Sequence, residues 1–137
     1  MKLLWCVAVL VSTFVSAERG TGLFEECGYI EVCEEEDGFY RAEYCYNQLS
    51  LNDKDFLLKE FSDFYGKILN ITSTLTHCCA NREKGKKALQ RYYDNRMEYE
   101  KKNDTQKLED RKKMVAARGC FMLMISECRN KHVMGLV

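Results

Sequence analysis

Seven cysteines lie between residues 27 and 128, and two of them, Cys78 and Cys79, are adjacent. In a chain of 137 residues this restricts the fold more than any other feature. In an oxidising compartment, sulfurs at this density are normally cross-linked, and each bridge holds two Cα atoms roughly 4.4–6.8 Å apart. The full set is Cys27, Cys33, Cys45, Cys78, Cys79, Cys120 and Cys128. Seven is odd, so one sulfur must remain free, be capped by a small thiol, or pair with another chain.

The oxidising compartment is implied by the N-terminus. Lys2 is followed by an apolar run from Leu3 to Val11, and Val15-Ser16-Ala17 places small residues where a signal peptidase cuts. The run is too short to cross a bilayer, so residues 1–17 read as a removable leader, which would take Cys6 with it. Residues 18–137 then form a single secreted helical domain, with no membrane span expected. Asn70-Ile71-Thr72 and Asn103-Asp104-Thr105 match the acceptor pattern for N-glycans, which marks Asn70 and Asn103 as candidate glycosylation sites.

No proline occurs anywhere, which favours long helices over turn-rich or sheet architectures. The apolar spacing agrees. Leu57, Phe61, Phe64, Ile68, Ile71, Leu75 and Cys78 recur every three or four residues, predicting one helix from Asp53 to Cys79. On it Asn70 faces away from the stripe, towards solvent. An acidic segment, Leu23 to Leu51, precedes it, with one or two short helices. "NREKGKK" after Cys79 reads as a polar loop, followed by a helix from Lys87 to Lys102. A last helix runs from about Leu108 to Asn130, whose Cys120–Ile125 stretch is apolar all round and expected at the centre of the core. The fold class is therefore all-α, a small disulfide-stapled bundle of about four helices.

Consecutive Cα atoms are 3.8 Å apart, closer than a disulfide normally allows, so Cys78 and Cys79 are poor partners for each other. They point about 100° apart on a helix, so the pair is expected to be a hub. One sulfur would reach the acidic N-terminal segment, the other Cys120 or Cys128. His77 beside them does not make a metal site, because no second ligand pair has the spacing that one tetrahedral ion requires. We expect no metal and no cofactor. No nucleophile elbow, zinc-protease helix or phosphate-binding glycine loop is present, so no catalytic residue is assigned and an enzyme is not expected.

Charge is divided along the chain. Residues 18–63 carry 13 acidic and 4 basic side chains, residues 64–137 carry 8 acidic and 16 basic. The two halves are expected to neutralise each other by packing. The surplus cations Lys84, Lys86, Lys87, Arg91, Arg111, Lys112 and Lys113 are the candidate partner-binding residues, suited to an acidic receptor surface or sulfated glycans. Secretion and the balanced total charge argue against nucleic acid. The expected function is extracellular binding to a macromolecular target, as a toxin-like effector or cytokine-like ligand. The partner is a protein or receptor, or a second copy through the odd sulfur as a disulfide-linked dimer. The alternative is a carrier holding small hydrophobic molecules in a helical pocket.

Overall fold

The computed structural model describes residues 25–102, 107–133 and 135. The leader at 1–17 and the acceptor Asn103 lie outside the described residues. Within them all regular structure is helical. Residues 25–29 are α-helical and pass into a π-helix, Ile30–Glu34. Five α-helices follow: α1 Gly38–Tyr46, α2 Leu51–Tyr65, α3 Ile71–Ala80, α4 Arg82–Lys102 and α5 Leu108–Val133.

The helix expected from Asp53 to Cys79 is two helices. The hydroxyl of Ser50 accepts a hydrogen bond from the Asp53 amide and starts α2. Gly66 ends it in the left-handed region, at φ 70°, a conformation that costs glycine nothing. Asn70 then opens α3 through a capping box, its Oδ1 accepting from the Ser73 amide at 2.8 Å while Ser73 Oγ accepts from the Asn70 amide at 2.9 Å. The apolar stripe therefore changes phase at the corner. Leu69 is buried there and Ile68 is 99% exposed. Asn70 is exposed, as expected, but as a cap rather than on the far face of a continuous helix. Asn70→Ala should cost about 1 kcal/mol and Asn70→Asp almost nothing, since a carboxylate caps equally well. Urea unfolding of the two variants checks this, and equal losses would refute the cap's contribution.

The expected polar loop "NREKGKK" is also helical. Asn81 is the only residue between α3 and α4, and its Oδ1 accepts from the Lys84 amide at 3.1 Å. Gly85 makes this sharp turn possible. A Cβ there would lie 2.7 Å from the carbonyl oxygen of Cys78 and 2.9 Å from its Cα. The glycine is a contact point between two helices, not a loop signal.

The core forms three clusters. Phe61, Leu69, Ala88 and Tyr92 are buried where α2, α3 and α4 meet. Tyr46, Leu49, Met114 and Ala117 join α1 to α5, with Leu57 and Ile71 packed against them. Cys27, Ile125 and Cys128 close the N-terminal end on α5. The stretch 120–125 is not apolar-buried all round: Met124 and Ile125 are buried, whereas Met122 is 45% and Leu123 70% exposed. Helix α5 packs on one side only, against α1, α2 and the π-helix, which leaves its opposite face open. The count of six helical elements rather than about four follows from the corner at Gly66 and the short π-helix.

Three disulfides tie these layers together: Cys27–Cys128, Cys33–Cys79 and Cys45–Cys120. The expected hub exists only in half. Cys79 reaches the acidic segment through Cys33, but Cys78 is unpaired, and the last helix is bound instead to Cys27 and Cys45. The reason is positional. Cys78 lies against Gly85 and packs with the cluster of Phe61 and Tyr92, whereas Cys79 faces the segment that carries Cys33.

Candidate binding site at the α3–α4 turn

The sharp turn after Cys79 brings side chains from three helix ends to one corner. Tyr65 closes α2 and Lys67 follows it, His77 and Ala80 close α3, and Asn81 and Lys84 open α4. Together with Thr76 they line a cleft of about 310 Å3. Lys84 Nζ sits over the Tyr65 ring, 5.1 Å from its centroid, and the His77 ring meets the same tyrosine edge-on at 5.3 Å. His77 is held in place by its Nδ1, 2.8 Å from the Ser73 carbonyl oxygen, an acceptor that makes Nδ1 the protonated nitrogen.

Tyr65 links this corner to the free thiol. Cys78 Sγ accepts a hydrogen bond from the Tyr65 hydroxyl at 3.8 Å. Burial pushes the Cys78 pKa up, and the tyrosine hydroxyl only partly offsets this. Burial, and then the thiol itself, likewise raises the pKa of Tyr65. A thiol held protonated and half covered is a poor nucleophile. We expect the unfolded protein to show one titratable thiol in residues 18–137, and the native protein to expose it only slowly to a soluble aromatic disulfide reagent. Rapid stoichiometric labelling of the native state would contradict the packing of Cys78.

Behind the cleft, Arg82 forms a two-pronged pair with Glu25, Nε to Oε1 at 2.8 Å and Nη2 to Oε2 at 3.0 Å, and lies over the Tyr29 ring. That hydrogen bond holds the Glu25 carboxyl below its usual pKa. With Cys33–Cys79, it fastens the N-terminal segment to the turn.

The seven cations expected to bind a partner are divided between two helices. Lys84, Lys86, Lys87 and Arg91 lie exposed on the first half of α4, and only Lys84 lines the cleft. Arg111, Lys112 and Lys113 lie exposed at the start of α5, where Lys112 is 3.8 Å from Glu109. Between α4 and α5, Arg118 lies 3.5 Å from Glu100. Lys67 is a further cleft cation, which falls in the middle of the expected 53–79 helix and which only the corner at Gly66 brings to the cleft.

The candidate acceptor Asn70 uses Oδ1 for its cap and leaves Nδ2, the atom a glycan would take, without a hydrogen bond among the described residues. Thr72 donates to Glu43 Oε1 at 2.6 Å. A second groove of about 320 Å3 runs between α1 and α5, lined by Tyr40, Arg41, Tyr44, Leu123 and Met124 over the Cys45–Cys120 bridge. Among the described residues no group of three or more histidine, cysteine, aspartate or glutamate side chains is placed to hold a metal ion, and no helix is long and apolar enough to cross a membrane. Comparisons with protein families, curated proteins and solved structures return no match.

Proposed function

We propose that this chain is a secreted, disulfide-stapled glycoprotein that acts by binding another extracellular macromolecule, in the manner of an effector, toxin-like or cytokine-like ligand. The observation that carries the reading is the corner at the α3–α4 turn. It combines a cleft with lysines that have no carboxylate within ion-pair distance among the described residues, on a scaffold fixed by Cys33–Cys79. Such a surface attracts an acidic partner from a distance and orients it on arrival. The three internal bridges and the capped, exposed Asn70 suit an extracellular life, with residues 1–17 as leader and residues 18–137 as the secreted domain. The reading assigns no catalysis.

The α1–α5 groove supports the second reading, a carrier of small hydrophobic molecules, because Tyr40, Tyr44 and Leu123 are each 60% exposed or more around it. A disulfide-linked dimer belongs to the first reading and would run through Cys78, the sulfur left unpaired.

Labelled secreted protein should bind the surface of intact cells, and Lys84→Glu with Lys87→Glu should abolish that binding while the three bridges persist. Intact mass under non-reducing conditions separates the rivals. A monomer carrying a lipid-sized adduct would sink the macromolecular reading in favour of the carrier, and a dimer that collapses on reduction would place a second copy on Cys78.

A further inference from the structure

Several of the cations in this fold are already paired. Arg41 lies at 3.1 Å from both Glu31 and Glu127, Lys59 at 2.9 Å from Asp63, and Arg82 at 2.8 Å from Glu25. Lys67, Lys84 and Lys87 have no carboxylate within 4.0 Å among the described residues, and all three belong to the corner at the α3–α4 turn or the helix leading from it. Lys84, Lys87 and Arg91 follow one another at three and four residues and so share one face of α4, over about 10 Å of its length. Two contacts orient that face towards α2: Lys84 Nζ over the Tyr65 ring at 5.1 Å, and Arg91 Nε at 3.9 Å from Glu60 Oε2. Lys86 lies about 200° around the helix from Lys84 and falls outside the row.

This is a line of positive charge that begins in a cleft. The cleft holds about 310 Å3, at the small end of ligand pockets, and its walls include Tyr65, His77 and Ala80 as well as the lysines. A folded acidic protein would present carboxylates, for which the forked guanidinium is the better match, whereas the row consists chiefly of lysines. Lysine is a compact charge with rotatable donors and tolerates anions at variable angles along a flexible chain. An aromatic wall beside two lysines offers one sugar ring an apolar face and its substituent a counter-charge.

We propose that the corner binds a sulfated polysaccharide chain. One sulfated sugar enters the cleft between Tyr65, His77, Lys67 and Lys84, and the next anionic groups lie along Lys87 and Arg91. Glu60 weakens the far end of the row, so the lysines nearest the cleft carry most of the attraction. The inference rests on the extracellular-binding reading and names the class of partner.

The test is calorimetric binding of the secreted protein to a heparin octasaccharide and to an unsulfated hyaluronan octasaccharide. Heparin should bind, its affinity should fall steeply with added salt, and hyaluronan should bind at least about tenfold more weakly. Lys84→Ala with Lys87→Ala should weaken heparin binding by about tenfold. Lys101→Ala with Lys102→Ala removes the same charge from the far end of α4 and should leave the affinity within about twofold. Equal losses in the two double variants would show diffuse attraction to a basic protein and overturn the proposal. Absence of heparin binding, or equal affinity for hyaluronan, would overturn it too. If cell-surface binding is lost on Lys84→Ala with Lys87→Ala yet survives heparinase treatment of the cells, the partner is an acidic protein. In that case the broader functional reading stands without this inference.

Discussion

Arg96→Ala lowers the free energy of unfolding by about 3–5 kcal/mol, the largest expected effect of any single substitution here. Arg96 and Asp53 have side chains only 2% exposed and are ion-paired to each other, Nη1 to Oδ1, across the α2–α4 contact. Asp53 Oδ2 and Arg96 Nη2 have no hydrogen-bond partner among the described residues, so Asp53 relies on Arg96 for its compensation. Burial opposes the charge on the guanidinium. The hydrogen bond to Asp53 and the charge behind it outweigh that, with help from Glu100, and raise the Arg96 pKa above its ordinary value. The guanidinium also lies 5.7 Å from the Phe56 ring centroid and 5.2 Å from that of Tyr99. Removing it strands a buried carboxylate and opens a hole among aromatic rings. Asp53→Asn should cost less, because Glu100 still accepts from Arg96 Nε at 3.2 Å. Asp53→Leu with Arg96→Met should recover most of the loss, since an apolar pair of similar volume needs no mutual compensation. Urea unfolding of the three variants with bridges intact decides it. A loss below about 1 kcal/mol for Arg96→Ala would show the pair is open to water.

Replacing Cys27 and Cys128 together by serine is expected to cost about 3–4 kcal/mol. The bridge spans 101 residues, but Cys45–Cys120 already spans 75 of them, so the loop it closes is the difference of 26 residues. Chain entropy for a loop of that size corresponds to about 3.5 kcal/mol, against about 4.7 for 100 residues. Both sulfurs are fully buried beside Ile125 and Ile30, so their loss also disturbs packing. Limited proteolysis should then cut first in the stretch before Cys33, which Cys33–Cys79 leaves untethered at its outer end, while α2–α4 remain protected. A cost near zero would mean that Cys33–Cys79, with Arg41 paired to Glu31 and Glu127 and Arg82 paired to Glu25, already holds that segment.

How much of this was legible beforehand differs from element to element. The absence of proline and the three-four spacing sufficed for an all-α class. The corner at Gly66 was written in the sequence too, as a glycine followed by an Asn-x-x-Ser cap. An apparently continuous stripe concealed it, because Ile68 occupies the position that a straight helix would bury. "NREKGKK" looked like a loop because its residues are polar, yet Gly85 serves close approach, which composition does not distinguish from a turn. Arg96 was invisible as a core residue because a charged side chain reads as surface until its partner, 43 residues away, is known. The two halves do neutralise each other where they pack, through Arg82–Glu25, Arg91–Glu60 and Arg96–Asp53. Of the seven expected binding cations, Lys84 alone reaches a cleft, and Lys67 joins it only because the chain turns there.

The sequence by itself determined the helical class, the odd number of sulfurs between residues 27 and 128, and the fact that Cys78 and Cys79 must look in different directions. Those follow from local geometry: residue spacing, backbone reach, and the angle between neighbours on a helix. Only the tertiary structure decided that Cys78 is the sulfur left over, that Arg96 is buried, and that Lys67 meets Lys84. Bridges spanning 46 to 101 residues, and an ion pair across 43, depend on how separate helices dock. Docking is set by the summed burial of all their faces, a quantity that no single stretch of sequence contains.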